Sequence, residues 1–268
     1  MRERLQKVLS KAGYGSRRFC ETMIEDGRVW VNGTPAHLGD SADPDVDLIE
    51  LNGERVTGVD APRIYIALNK PRGVLSDVDT KDPRKNVMEL VPEDVHLFAV
   101  GRLDFDSEGL ILLTNDGELA NRLTHPRYGH EKEYEVLVTR EPDESQLTTW
   151  RRGVVLRDGY KTQPAVVSVL RKAEKGVWLK VILKEGKKRQ IREVGALVGL
   201  PVARLIRVRL AGLQLGNLKT GEYRYLSAEE IDVLKKQGYR SKDWKPEIGQ
   251  NKGFKKRKQY PSKKRTGR

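Results

Sequence analysis

Hydrophobic positions near the start of the chain recur at helical spacing. In "RLQKVLSKAGYGSRRFCETMIEDGRVWVNG", Leu5, Val8, Leu9 and Ala12 fall at i, i+3, i+4 and i+7, one face of a helix that Gly13 and Gly15 stop. Ser16 is placed to cap a second helix with an inner face of Phe19, Met23 and Ile24, ended by Gly27. The polar–apolar period then drops to two. "RVWVNG" predicts a short strand and an Asn-Gly turn, so residues 1–60 read as a helix–helix–strand unit.

After the polar linker "ERVTGVDAPR" the pattern is mostly that of strands. "IYIALNKPRG" alternates and ends in a Pro-Gly turn, and "EKEYEVLVTR" is a second alternating run. "PAVVSVLRKAEKGVWLKVILK" predicts a hairpin through its polar centre. "LILLTNDGELANRL" reads as a buried strand feeding a helix, with Asn115 as cap and Glu118 as its reciprocal partner. Helices are expected at "PDESQLTTWRRG", "KRQIREVGALVG" and "SAEEIDVLKK", the last with a Ser227/Glu230 capping box. Adjacent hairpins with few helices predict an α+β chain: the small unit, then a domain over residues 61–236 on a mixed, mainly antiparallel sheet flanked by helices. Residues 237–268 have too few apolar positions to form a core and are expected to be a disordered basic tail.

Charge sharpens this division. The net +13 is carried almost wholly by the end of the chain, where Lys235 to Arg268 hold 14 basic residues against Asp243 and Glu247. Such an arm attracts phosphates regardless of sequence. Within residues 1–60, seven of eight basic residues lie at or before Arg28, Arg17 and Arg18 among them, which suits a helical surface on a nucleic-acid backbone. No apolar run has membrane-spanning length and the start lacks a secretory core, so a cytoplasmic protein without a membrane partner is expected. Cys20 is the sole cysteine, and His125 and His130 are separated by Pro126 at a spacing no zincin uses, so neither a metal nor another cofactor is expected.

The chemistry concentrates in "GRLDFDSEG". Asp104 and Asp106, if extended, share one face about 6.5–7 Å apart by strand rise. A pair at that separation admits glycoside or nucleoside hydrolysis, while most aspartate pairs in loops catalyse nothing.

The longer phrase "GRLDFDSEGLILLTNDG" closely resembles the central motif of bacterial ribosomal pseudouridine synthases of the RsuA/RluB type. The resemblance extends through "LNKPRGVLSD", "THPRYGHEKEYEV", "EGKKRQIREV" and "RLIRVRLAGLQLGNLKTGEYRYL". The stretch "RLQKVLSKAGYGSRRFCETMIEDGRVWVNG", with its helices, glycines and terminal "VWVNG", resembles the S-four RNA-binding module that precedes such domains, a likeness covering residues 2 to about 50. This likeness implies the pseudouridine synthase fold, a cofactor-independent isomerisation of uridine, and ribosomal RNA or a pre-ribosomal particle as partner. It implies Asp104 as the catalytic aspartate, Arg192 as the cation paired with it, and Tyr134 as the tyrosine that stacks on the extracted base. Arg102 matches the arginine implicated in base extraction. Lys70, Pro71 and Gly73 match a motif whose expected role is structural.

Lys187, Lys188 and Arg189 are expected to face RNA from the helix of Arg192, with the arginines at 204, 207 and 209 extending a second basic patch. The long basic tail and the "RLIRVRLAGLQLGNL" region favour large-subunit (23S) over small-subunit (16S) RNA. A monomer is expected. The rival readings are a non-catalytic RNA-binding assembly factor and a glycoside or nucleoside hydrolase.

Overall fold

A computed structural model describes residues 1–57, 62–76, 82–91 and 96–236; the tail expected at 237–268 lies outside the described residues. The N-terminal region forms α1 (Leu5–Lys11), α2 (Arg17–Glu25), and a small sheet of β1 (Val29–Val31), β2 (Thr34–Pro35), β3 (Ile49–Leu51) and β4 (Glu54–Arg55). Asn32 and Gly33, both at positive φ, make the β1–β2 turn. Ser16 Oγ accepts the Phe19 N–H at 3.1 Å, the expected cap of α2. Phe19 itself departs from expectation: it is 50% exposed, and Cys20 fills the buried place beside Met23 and Ile24. Cys20, Met23 and Ile24 lie at i, i+3 and i+4, whereas Phe19 turns toward Gly15, where a Cβ would strike its ring.

The second region is built on β5 (Tyr65–Lys70), β6 (Phe98–Val100), β7 (Glu108–Thr114), β8 (Lys132–Val138), β9 (Val166–Lys172), β10 (Val177–Leu183), β11 (Val202–Leu210), β12 (Leu213–Gln214) and β13 (Tyr223–Tyr225). They form one sheet in the order β9-β10-β8-β11-β7-β5-β13, with β12 on β11 and β6 on β7. Its pairings are antiparallel except β11 with β7, where Ile206 faces Glu108 and Arg207 faces Gly109. This is the expected mixed, mainly antiparallel sheet.

Both faces are covered. α4 (Glu144–Arg152) and α5 (Gln190–Leu197) bury Leu147, Trp150, Ile191 and Val194 against one face. α3 (Gly117–Thr124) and α6 (Ala228–Lys236) bury Leu119, Leu123 and Leu234 against the other. β5 and β7 are buried along their whole length, as strands covered on both faces must be. The N-terminal region keeps a separate core around Leu5, Val8, Leu9 and Val29.

Two helix starts test the capping chemistry. Ser227 and Glu230 exchange reciprocal bonds at α6, as expected. At α3 the cap is Asp116, whose carboxylate accepts from the Glu118 and Leu119 N–H groups. Asn115, the expected cap, instead ties the strand edge by accepting from Ile64 N and donating to Pro62 O. Glu118 pairs with Arg122 one turn on. No helix among the described residues is long and apolar enough to cross a membrane.

Candidate active site

β7 starts beside β11, and the chain reaches it through the loop Arg102–Ser107, which passes over the end of the sheet. This loop is not extended. Ser107 N–H donates to Asp104 O at 3.0 Å, closing a turn that separates the two aspartates in role. Three anchors brace it. Ser76 Oγ donates to Leu103 O (2.7 Å) and accepts from Leu103 N (3.0 Å). Gly73 N–H donates to Phe105 O at 2.8 Å. Lys70 Nζ donates to Pro71 O (3.0 Å) and Ser107 O (2.9 Å).

The expected Arg192–Asp104 pair is corrected by this geometry. Arg192 holds Asp106: its Nε lies 3.3 Å from Oδ2, and Nη2 donates to Asp106 O at 2.9 Å. A third bond, from Nη1 to Val202 O at 3.1 Å, fixes the guanidinium to β11. Arg189 reaches Asp106 Oδ1 at 3.1 Å from the exposed side. Burial works to raise the Asp106 carboxyl, but the Arg189 hydrogen bond and the Arg192 and Arg189 charges outweigh it and hold its pKa below the ordinary value. The turn explains the exchange of partners, because it carries Asp106 toward α5 and leaves Asp104 over the cleft. Asp104 still contributes to the field at Arg192, after Asp106.

Among the described residues, no hydrogen bond or ion pair engages the half-buried Asp104 carboxylate. The buried cation beside it is Lys70, which is 0% exposed. Burial lowers the Lys70 pKa to about 8, against the pull of Asp104 first and then Asp106 and Glu108. A motif residue expected to be structural thus also sets the charge next to the candidate nucleophile.

Asp104 opens on a cleft of about 650 Å³ lined by Arg102, Lys132, Tyr134, Leu205 and Arg207, and by the turn Lys184–Arg189. Tyr134 is 8% exposed and lies between Val181 of β10 and Arg207 of β11. Among the described residues its hydroxyl has no hydrogen-bond partner. Arg102 is exposed on the rim. Lys187, Lys188 and Arg189 also line the cleft, on the turn preceding α5 instead of on the helix. Lys187 lies 4.1 Å from the Tyr160 ring centre, and Arg189 is committed to Asp106.

The expected basic patch on β11 is not an open surface. Arg204 is paired with Glu108 at 2.8 Å, Arg209 with Glu131 and Glu133 at 3.0 Å each, and Arg207 is 1% exposed. Strand alternation sends these side chains into the sheet's own carboxylates and core. Arg17 lies elsewhere, in a larger cavity of about 870 Å³ between the N-terminal region and α3, with Lys7, Lys11, Arg63, Arg122 and Lys235. Arg18 is exposed nearby on α2. That cavity is the roomier one, but the unpartnered carboxylate and the tyrosine are in the smaller cleft, which is therefore the candidate for chemistry. Among the described residues no group of three or more His, Cys, Asp or Glu side chains could hold a metal.

The model of the RNA pseudouridylate synthase family matches residues 64–196, and that of the S4 domain matches residues 3–43. An uncharacterized RNA pseudouridine synthase of Aquifex aeolicus (strain VF5) is 39% identical over 239 residues, 87% of this chain and 94% of that protein. Ribosomal large subunit pseudouridine synthase B of Bacillus subtilis (strain 168) is 38% identical over 239 residues, 87% of this chain and 96% of that protein. A solved pseudouridylate synthase superposes with a TM-score of 0.62 at 28% identity, covering 86% of this chain and 99% of that one. The Asp104 loop, Tyr134 and Arg192 all fall inside the matched 64–196 segment. The chain belongs to the RNA pseudouridylate synthase family and carries an S4 domain ahead of its catalytic region.

Proposed function

We propose that this chain is a synthase of the RsuA/RluB type, acting as a cytoplasmic monomer, that converts a uridine of ribosomal RNA, in the large subunit, to pseudouridine. The observation that carries the chemistry is the unengaged Asp104 carboxylate, held on a loop braced by Lys70, Ser76 and Arg192 and facing a cleft that contains Tyr134. The likeness to ribosomal large subunit pseudouridine synthase B over nearly the full length of that protein supports the RNA target. Residues 1–60 supply the RNA-binding domain, 61–236 the catalytic domain, and the basic end of the chain an added attraction for phosphates.

The reaction moves uracil from an N1–C1′ to a C5–C1′ bond. Asp104 either attacks C1′ or withdraws the proton on C2′. In both branches the N1–C1′ electron pair leaves with the base. The base then turns and C5 bonds to C1′, as the Asp104–C1′ bond breaks in the first branch or as Asp104 returns the proton to C2′ in the second. C5 loses its proton and N1 gains one, so the product is an isomer of the substrate. Tyr134 provides a stacking face worth about 1–3 kcal/mol per base, against an extrusion cost of a few kcal/mol. Its hydroxyl is available to the proton that leaves C5. Arg102, Lys187 and Lys188 on the rim are placed for the flanking phosphates.

The test uses unmodified transcripts of both ribosomal RNAs, the full chain and no added metal, with pseudouridines mapped by carbodiimide-dependent reverse-transcription stops. One dominant new stop in the large-subunit transcript is expected. Asp104→Asn should abolish it while RNA affinity stays within a few-fold. Binding without modification by the unmutated protein would favour the assembly factor, and free uracil would favour the hydrolase.

A further inference from the structure

The floor of the cleft holds two cations that the reaction as described does not use. Lys132 lies two residues before Tyr134 on β8, so both side chains leave the strand on the same face. Arg207 sits directly across from Tyr134 on β11. Both line the cleft with Asp104.

Neither cation is neutralised. Lys132 Nζ has one hydrogen bond, to His130 O at 3.2 Å. Arg207 is 1% exposed, donates from Nε to Leu110 O at 2.8 Å, and leaves Nη2 without a partner. Among the described residues no carboxylate is within ion-pair distance of either. Glu185, whose charge acts on Lys132, is committed to the Tyr160 hydroxyl, Gln163 N and Gln190. Burial and the Arg207 charge lower the Lys132 pKa to about 8, with Glu185 opposing. The lysine therefore remains mostly charged at neutral pH although its surroundings disfavour the charge. Two like charges kept together beside a tyrosine, with no carboxylate paired to either, favour an anion that arrives with the substrate.

Depth identifies that anion. Arg102, Lys187 and Lys188 are exposed, where the phosphates of an RNA backbone would run, whereas Lys132 is half-buried and Arg207 buried beside Tyr134, the face on which the base would stack. On the function proposed above, uracil is neutral when it enters and carries the N1 electron pair, delocalised onto O2 and O4, once the N1–C1′ bond has broken. We propose that Lys132, with Arg207 behind it, is a catalytic residue that binds a carbonyl oxygen of the detached uracil and stabilises its negative charge until C5 attacks C1′. Groups fixed in advance where charge develops act on the transition state and not on binding.

The test is a leaving-group comparison under single-turnover conditions, with uridine or 5-fluorouridine at the target position of an rRNA fragment. Loss of the N-glycoside is read by digestion and mass spectrometry. Fluorine makes the departing base a more stable anion, so it should need the cation less. Lys132→Gln is expected to slow uridine by roughly 10²–10³-fold, to slow 5-fluorouridine at least tenfold less, and to leave RNA affinity within about threefold. An equal loss on both substrates, or a loss confined to affinity, would overturn the proposal. Should the glutamine variant fold poorly, Lys132→Cys treated with 2-bromoethylamine restores an ammonium at nearly the same reach; Cys20 is buried. Recovery of the uridine rate on aminoethylation is expected, and a folded, fully alkylated protein that stays slow would refute the idea. Failure of the unmutated protein to form pseudouridine would instead remove the function on which this rests.

Discussion

Asp104 and Asp106 are two residues apart and have opposite duties. Asp106 is held by two arginines and anchors the loop; Asp104 is left unengaged and, on the function proposed above, is the group that reacts. A sequence motif identifies the pair but not the exchange, because the turn closed by Ser107 N–H and Asp104 O decides which carboxylate reaches Arg192. Lys70 is equally hard to read. Within "ALNKPRG" it looks like the end of a strand, and only burial shows it as a cation beside Asp104. That burial has a measurable sign. The native Lys70 pKa of about 8 lies below the 10.5 of a free lysine, so between those values the unfolded chain holds a proton that the native protein has released. Lys70 then makes stability rise with pH through this window, by up to about 1.4 kcal/mol per pH unit. Urea unfolding of the unmutated protein and of Lys70→Met at pH 7.5 and 9.5 should show the variant falling further behind at the higher pH. A difference that does not change with pH would mean that the lysine keeps its charge.

At the level of elements, most of the architecture is legible because strands and helices advertise their buried faces. β8, the β9–β10 hairpin, α4, α5 and α6 all lie where periodicity places them. The misplaced details are local contests between similar groups: Asp116 over Asn115 at α3, Cys20 over Phe19 on α2. What periodicity cannot supply is strand order, and the β7–β11 parallel junction that carries the site is a matter of order. Its signature is Gly109, at φ +102°, where a Cβ would run into the backbone oxygen and nitrogen of Arg207. Gly109→Ala therefore meets rigid backbone as well as an unfavourable φ. It should cost about 3 kcal/mol or more, or prevent folding. Gly13, at φ +91° with open space around it, is the control: Gly13→Ala has only the backbone penalty, about 1 kcal/mol. Equal losses in chemical denaturation would mean that the junction can open without consequence.

Across the whole molecule, charge is distributed by function. Residues 1–234 hold 37 basic and 36 acidic groups, and many of these are paired on the sheet, as Arg204 and Arg209 are. Cations also gather at two places: the rim and floor of the Asp104 cleft, and the larger cavity beside the S4 domain lined by Lys7, Lys11, Arg17, Arg63 and Arg122. Lys235, near the end of α6, lines that second cavity and lies 5.7 Å from the Tyr65 ring centre. The basic end of the chain therefore begins beside the S4 domain and not at the Asp104 cleft. This separation predicts that affinity and chemistry can be divided. Deleting residues 238–268 removes 12 basic and two acidic residues and leaves every described residue of the cleft in place. RNA binding followed from low to high salt should weaken, and the slope of log affinity against log salt should become shallower by about 0.7–0.9 for each phosphate that the tail no longer neutralises. Single-turnover pseudouridine formation at saturating protein should change less than about threefold, because Asp104, Tyr134 and Lys132 keep their frame. An unchanged salt slope would show that the tail does not touch RNA, and a collapse of the saturated rate would show that it reaches the cleft after all.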